Sequence, residues 1–89
     1  PTLSLHVDNR IRAQTSATIT WSATNVKAGS CTVSDDNVPP IDHWVGLNGS
    51  EHTSLLANQT VFTLRCTDLG GHATSTHKTV FIVPDSGER

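Results

Sequence analysis

The stretch TVFTLRC, from Thr60 to Cys66, puts Phe62, Leu64 and Cys66 on one side of an extended chain and Val61, Thr63 and Arg65 on the other. That period of two is the signature of a strand with one buried face. TLSLHV (Thr2 to Val7) repeats it with Leu3, Leu5 and Val7, and SATITWS (Ser16 to Ser22) with Ala17, Ile19 and Trp21. SCTVS (Ser30 to Ser34) puts Cys31 and Val33 together. No stretch shows a helical period with caps. Short strands roughly ten residues apart, separated by turn signals, predict an all-β chain built as an antiparallel sandwich of about seven short strands.

The last strand is less regular. Ala73, Ser75, His77, Thr79, Phe81 and Val83 share one parity, and Val80 and Ile82 the other. A bulge near His77–Thr79 would bring Ala73 and Ser75 onto the face of Val80 and Ile82. DLGGH between the last two strands reads as a hairpin turn, its glycines supplying positive φ. The middle, Asp35 to Leu56, is irregular. SDDNVPPIDHW is too rich in Asp, Asn and Pro for a central strand, and WVGLNGSEHTS has room for one or two short edge strands. Residues 1–84 read as one module and 85–89 as a disordered or linker tail.

With 89 residues, the chain buries only roughly 60–65% of the surface its unfolded form exposes. Its core is small, and a covalent staple helps such a domain. Lysine and arginine are scattered singly at a net charge of −2, so no basic stripe speaks for nucleic acid. No apolar run approaches the ~20 residues of a membrane-spanning helix, so no membrane insertion is expected. A start at Pro1 without methionine reads as an excised module or a processed segment.

The order of motifs resembles a known family. ATITWSATNVKAGSCTVS, then W-V-G, then NQTVFTLRCTDLGGHATSTHKTVFIV is similar to an immunoglobulin-like β-sandwich module of bacterial exported and cell-surface multidomain proteins. The matching residues are Trp21, Asn25, Cys31, Trp44, Gly46, Phe62, Leu64, Cys66, Gly70 and Gly71, over roughly residues 15 to 83. Phe62 stands where that family usually has tyrosine, the Asp35–Asp42 segment is longer and more acidic, and His77 and Lys78 replace small residues. The resemblance implies an immunoglobulin-like sandwich, a Cys31–Cys66 bridge and a non-catalytic, appended role; it implies no particular ligand.

The cysteines themselves agree with a bridge. Both lie on expected strands with core parity, and two cysteines in a small polar β-domain read as one disulfide. A loop of this size stabilises by about 4 kcal/mol in the chain-entropy model. Trp21 precedes both cysteines, unlike the antibody layout, so the bridge is expected between the third and penultimate strands. A reactive thiol or metal pair finds no CxxC spacing and no histidine within a few residues.

Trp21 shares parity with Ala17 and Ile19 and reads as a core residue. Trp44 is open to two readings. It caps one end of the sandwich, beneath the Gly46–Leu47 backbone and the Leu55–Leu56 side chains, or it is a sugar platform with Asp42, His43 and Asn48 beside it. The five histidines show no H-x-x-x-H or HExxH spacing and read as surface residues rather than metal ligands. Asp35, Asp36 and Asp42 surround a Pro-Pro turn; they fit no EF-hand loop and read as solvated turn residues, with calcium as the rival. A glycosidase pair or a nucleophile elbow lacks its context. Asn48-Gly49-Ser50 and Asn58-Gln59-Thr60 match the N-glycosylation pattern.

The sequence therefore predicts a non-catalytic spacer or interaction module, adhesive in some parents, at an extracellular, cell-surface or periplasmic location. Its expected partners are neighbouring domains, another protein or a surface glycan, with no cofactor. The rival is a carbohydrate-binding accessory module using Trp44, and an enzyme has least support.

Overall fold

A computed structural model describes residues 2–37 and 39–83. Every regular element among them is a strand: β1 (Thr2–Val7), β2 (Arg10–Arg12), β3 (Thr18–Thr24), β4 (Thr32–Ser34), β5 (His43–Val45), β6 (Asn48–His52), β7 (Thr60–Thr67) and β8 (Ala73–Val83). The eighth strand relative to the expected seven is β2, whose three residues are too few to display a period. The expected tail at 85–89 lies outside the described residues.

The strands form a three-stranded sheet ordered β1-β3-β6 and a five-stranded sheet ordered β2-β8-β7-β4-β5. One core joins them: Leu5, Ile19, Trp21 and Ala23 from the first sheet, with Val33, Phe62, Leu64 and Val80 from the second. The alternation of β3 and β7 appears directly as alternating burial. The outer face of the three-stranded sheet is hydroxyl-rich. Thr20 Oγ1 lies 3.4 Å from Ser50 Oγ, and Thr18 Oγ1 lies 3.2 Å from His52 Nδ1.

The chain passes between sheets where polar groups pin it. Between β1 and β2, the Asp8 carboxylate accepts from Thr18 N at 2.9 Å and the Asn9 carbonyl from Phe81 N at 2.8 Å. Between β5 and β6, Gly46 donates its N–H to the Cys31 carbonyl and accepts the Trp21 indole N–H, each near 3.0 Å (3.1 and 3.0 Å). Its φ of +141° lies where side chains are disfavoured.

Cys31 and Cys66 are bonded, with Sγ atoms 2.04 Å apart and Cα atoms 4.1 Å apart, and both are fully buried. Cys31 immediately precedes β4, the fourth strand rather than the expected third. Thr32 faces Arg65 across the β4–β7 ladder, so the next step of that register puts Cys31 opposite Cys66. The staple therefore lies within one sheet, between hydrogen-bonded neighbours.

The expected bulge in β8 is absent. The β7–β8 register runs unbroken from Thr60↔Val80 to Thr67↔Ala73. Thr74, Thr76, Lys78, Val80 and Ile82 consequently share the inward face. The polar three are tolerated because β2 pairs only with Phe81, Ile82 and Val83; from Ala73 to Lys78 the inward face lies at an open rim, where Lys78 reaches water. A charge at such an edge also discourages pairing with foreign strands.

The hairpin turn is built on Asp68. Its Oδ1 accepts from Gly70 N and His72 N, both at 2.9 Å, and Gly71 adopts the required positive φ. The His72 and Gly70 amides, with the nearby His72 ring, hold the Asp68 carboxyl below its ordinary value against the opposing effect of desolvation. A depressed carboxyl pKa stabilises the fold above the unfolded value, and the contribution is lost as pH falls through the folded value. The Gly70 and His72 amide proton shifts should titrate together in NMR, with a midpoint below the usual aspartate range; shifts that move independently would remove Asp68 as their acceptor.

Gly49 faces Trp21 across the β3–β6 ladder. A Cβ there would come within 2.7 Å of the indole. Gly49→Ala should destabilise by about 1–3 kcal/mol, as overpacking does. Thermal unfolding will check it, at roughly 4–8 °C per kcal/mol for this size.

Candidate functional site

The irregular segment after β4 is organised by two aspartates rather than by secondary structure. Asp35 is buried, and its carboxyl group accepts three backbone N–H bonds, from Asn37 (3.1 Å), Ile41 (3.2 Å) and Asp42 (3.0 Å). Asp35 N in turn donates to the Asp42 carbonyl at 3.2 Å, closing the base of the loop. Asp42 reaches the other way. Its carboxyl accepts from Ser54 N at 3.0 Å and Ser54 Oγ at 2.9 Å, tying the loop to the segment after β6. These two are therefore not solvated turn residues, as the sequence suggested; only Asp36 of the three acids is exposed. A loop with so many backbone donors and few strand partners needs acceptors, and the short aspartate side chain supplies them locally.

Between this loop and residues 54–60 lies an open hollow of about 220 Å³, lined by Ile41, Leu55, Leu56, Ala57 and the polar side chains of Asp36, Asn37, Asn58 and Gln59. Ile41 and Leu55 are both about two-thirds exposed (67% and 66%). The lining of the hollow mixes apolar residues with carboxylate, amide and hydroxyl ones. Nothing in the sequence pairs residues 36–41 with 54–60; the Asp42–Ser54 bonds do.

The residues expected around Trp44 do not gather into one site. Trp44 points inward from β5, half-buried. Its ring is nearly parallel to Trp21 (centroids 6.0 Å, 20°) and to Phe62 (6.4 Å, 19°). Those two rings are its aromatic neighbours. The Gly46 carbonyl beside it accepts the Trp21 N–H. His43 pairs with Ser34 and faces outward on the five-stranded sheet. Asn48 pairs with Ser22 on the outer face of the other sheet. Asp42 is turned into its Ser54 contact. The four residues thus occupy the interior and two opposite faces.

Among the described residues, no group of three or more His, Cys, Asp and Glu side chains comes together as a metal site. No helix there is long and apolar enough to cross a membrane. Asn48 and Asn58 are both exposed, but the Thr60 hydroxyl of the second glycosylation pattern is buried and donates to the Asn58 carbonyl at 2.9 Å.

Removing the Asp35 carboxyl group leaves three loop amides without their acceptor. Asp35→Ala should cost about 1–3 kcal/mol or more, while Asp36→Ala next to it should stay within about 0.5 kcal/mol. Urea unfolding of both variants measures the difference; equal midpoints would sink the assignment of Asp35 as the loop's organiser.

No family model matches this chain, and neither a curated protein nor a solved structure does.

Proposed function

We propose that the chain is a non-catalytic, immunoglobulin-like module that serves a larger exported bacterial protein as a spacer or interaction unit. The observation that carries this reading is where the chemically capable groups go. Asp35 and Asp42 hold a loop, Cys31 and Cys66 hold two strands, and Trp44 stacks on Trp21 and Phe62. Each is engaged in the frame itself.

The strand order supports the fold part of the reading. The first, third and sixth strands face a sheet built on β8, β7 and β4, an arrangement akin to the ABE and GFC layers of immunoglobulin-like sandwiches. The staple joins the C- and F-like strands rather than B and F. A buried disulfide supports an oxidising compartment, and the resemblance in sequence supports a bacterial parent. Neighbouring domains, another protein or a surface glycan are the partners of such a unit.

The rival role, a sugar platform at Trp44, makes a different demand on one substitution. In the module, Trp44→Ala should lower stability by about 3 kcal/mol and the melting temperature by roughly 12–24 °C, without any loss of glycan retention. A glycan array with wild type and Trp44→Ala decides. Wild-type sugar binding that vanishes in a normally stable variant would replace this reading with the carbohydrate-binding one.

A further inference from the structure

The outer face of the five-stranded sheet gathers arginines that the sequence scatters. Burial alternates along β7 and β8, with Phe62, Leu64 and Val80 inside, so Arg65, His77 and Phe81 point outward. Ile11 packs against the core, which leaves Arg10 and Arg12 on that same outer side of β2. Arg10 pairs with Phe81 across the β2–β8 ladder, and Arg65 pairs with Ser75 across the β7–β8 ladder. From Phe81 to Ser75 is roughly 20 Å at the rise of a strand, and His77, opposite Thr63, stands between.

Among the described residues, no outward position of these five strands carries an acidic side chain. The carboxylates nearest along the chain are turned elsewhere. Asp8 accepts from Thr18 N on the other sheet, and Asp68 accepts from Gly70 N and His72 N within its own turn. Asp36 stands at the hollow, past the end of β4. This face is therefore cationic, although the chain as a whole carries a net charge of −2.

We infer that this face binds an acidic polysaccharide, a sugar chain with carboxylate groups spaced along it. A guanidinium takes a carboxylate bidentately, and Arg10 and Arg65 supply two such anchors. Thr63 and His77, outward between them, offer hydrogen bonds to sugar hydroxyls, and Phe81, 49% exposed beside Arg10, offers an apolar surface to the C–H face of a pyranose. Two other polyanions fit less well. Duplex nucleic acid carries about one charge per 1.7 Å, far denser than Arg10 and Arg65, roughly 20 Å apart along the strands, on a molecule of net charge −2. An acidic peptide joins a sheet at its edge, through backbone groups, and not across a flat face. Single exposed charge pairs are weak, so binding grows with the number of anchors engaged at once. The inference names the glycan for the interaction unit proposed above and rests on that reading.

The test is an NMR titration of the chain with oligogalacturonate, and in parallel with neutral dextran, oligothymidylate and polyglutamate, at low salt. Oligogalacturonate should shift the amides of Arg10, Arg65, His77 and Phe81, and the shifts should vanish at about 1 M salt, where the screening length is ~3 Å. Arg10→Gln and Arg65→Gln change exposed positions, and each should weaken binding by about threefold or more. Lys27→Gln, off this face beside Thr67, should leave it unchanged. No shifts in the wild type, shifts confined to another surface, equal binding of dextran, or binding that survives both arginine substitutions together would each overturn the inference. Equal or tighter binding of oligothymidylate or polyglutamate would replace the glycan as occupant. Trp44 points inward, so the shifts should persist in folded Trp44→Ala. Their absence from the wild type defeats this inference alone, whereas their loss in folded Trp44→Ala defeats the module reading.

Discussion

The indole of Trp21 is the joint on which both sheets depend. It rises from β3 in the three-stranded sheet, is almost wholly buried, stacks against Trp44 of the other sheet and donates its N–H to Gly46 at the crossing between β5 and β6. A buried indole with no acceptor would cost a hydrogen bond, so the backbone at Gly46 adopts a conformation that aims a carbonyl at it. The ring also lies across Gly49 so closely that no side chain fits there. One side chain thus fixes two glycines, one crossing and the spacing of the layers.

The strands legible in the sequence were those whose two faces meet different solvents. Ile19 and Trp21 alternate with threonines because one side of β3 is core and the other water; Phe62, Leu64 and Cys66 alternate for the same reason. β8 defeated the same logic. Its inward face carries Thr74, Thr76 and Lys78 because the strand outruns its neighbour at an open rim, where facing the core does not mean leaving water. Parity was intact, and the inference of a bulge came from equating inward with apolar. β2 was silent because three residues paired to a strand end carry no period.

The candidate site was less legible because its bonds go from side chains to backbone. Asp35 and Asp36 are adjacent and chemically identical in the sequence, yet one is buried under three amides and the other is exposed. No spacing rule distinguishes them; only the path of the loop does. Likewise Asp42, His43 and Asn48 are close along the chain but separate in space, since the β5–β6 crossing carries the chain from one sheet to the other between them. The Cys31–Cys66 pairing was recoverable from count and parity, while its position within a single sheet followed from the β4–β7 register.

That position has a mechanical consequence. Thr2 pairs with Thr24 near the Val26–Asp68 bridge, and Val83 lies beyond the Thr60–Val80 pair at the other end of β7, so tension applied through the two loads the strands lengthwise. Cys31 and Cys66 close a loop with a sequence separation of 35, and the chain between them is shunted by a covalent bond. Under load the ladders outside that loop can yield, but the enclosed segment carries no tension while the bond stands. At roughly 3.3–3.6 Å per extended residue, on the order of 120 Å of contour stays hidden. The intact staple therefore acts as an extension stop, and its reduction would lengthen the tether by that reserve.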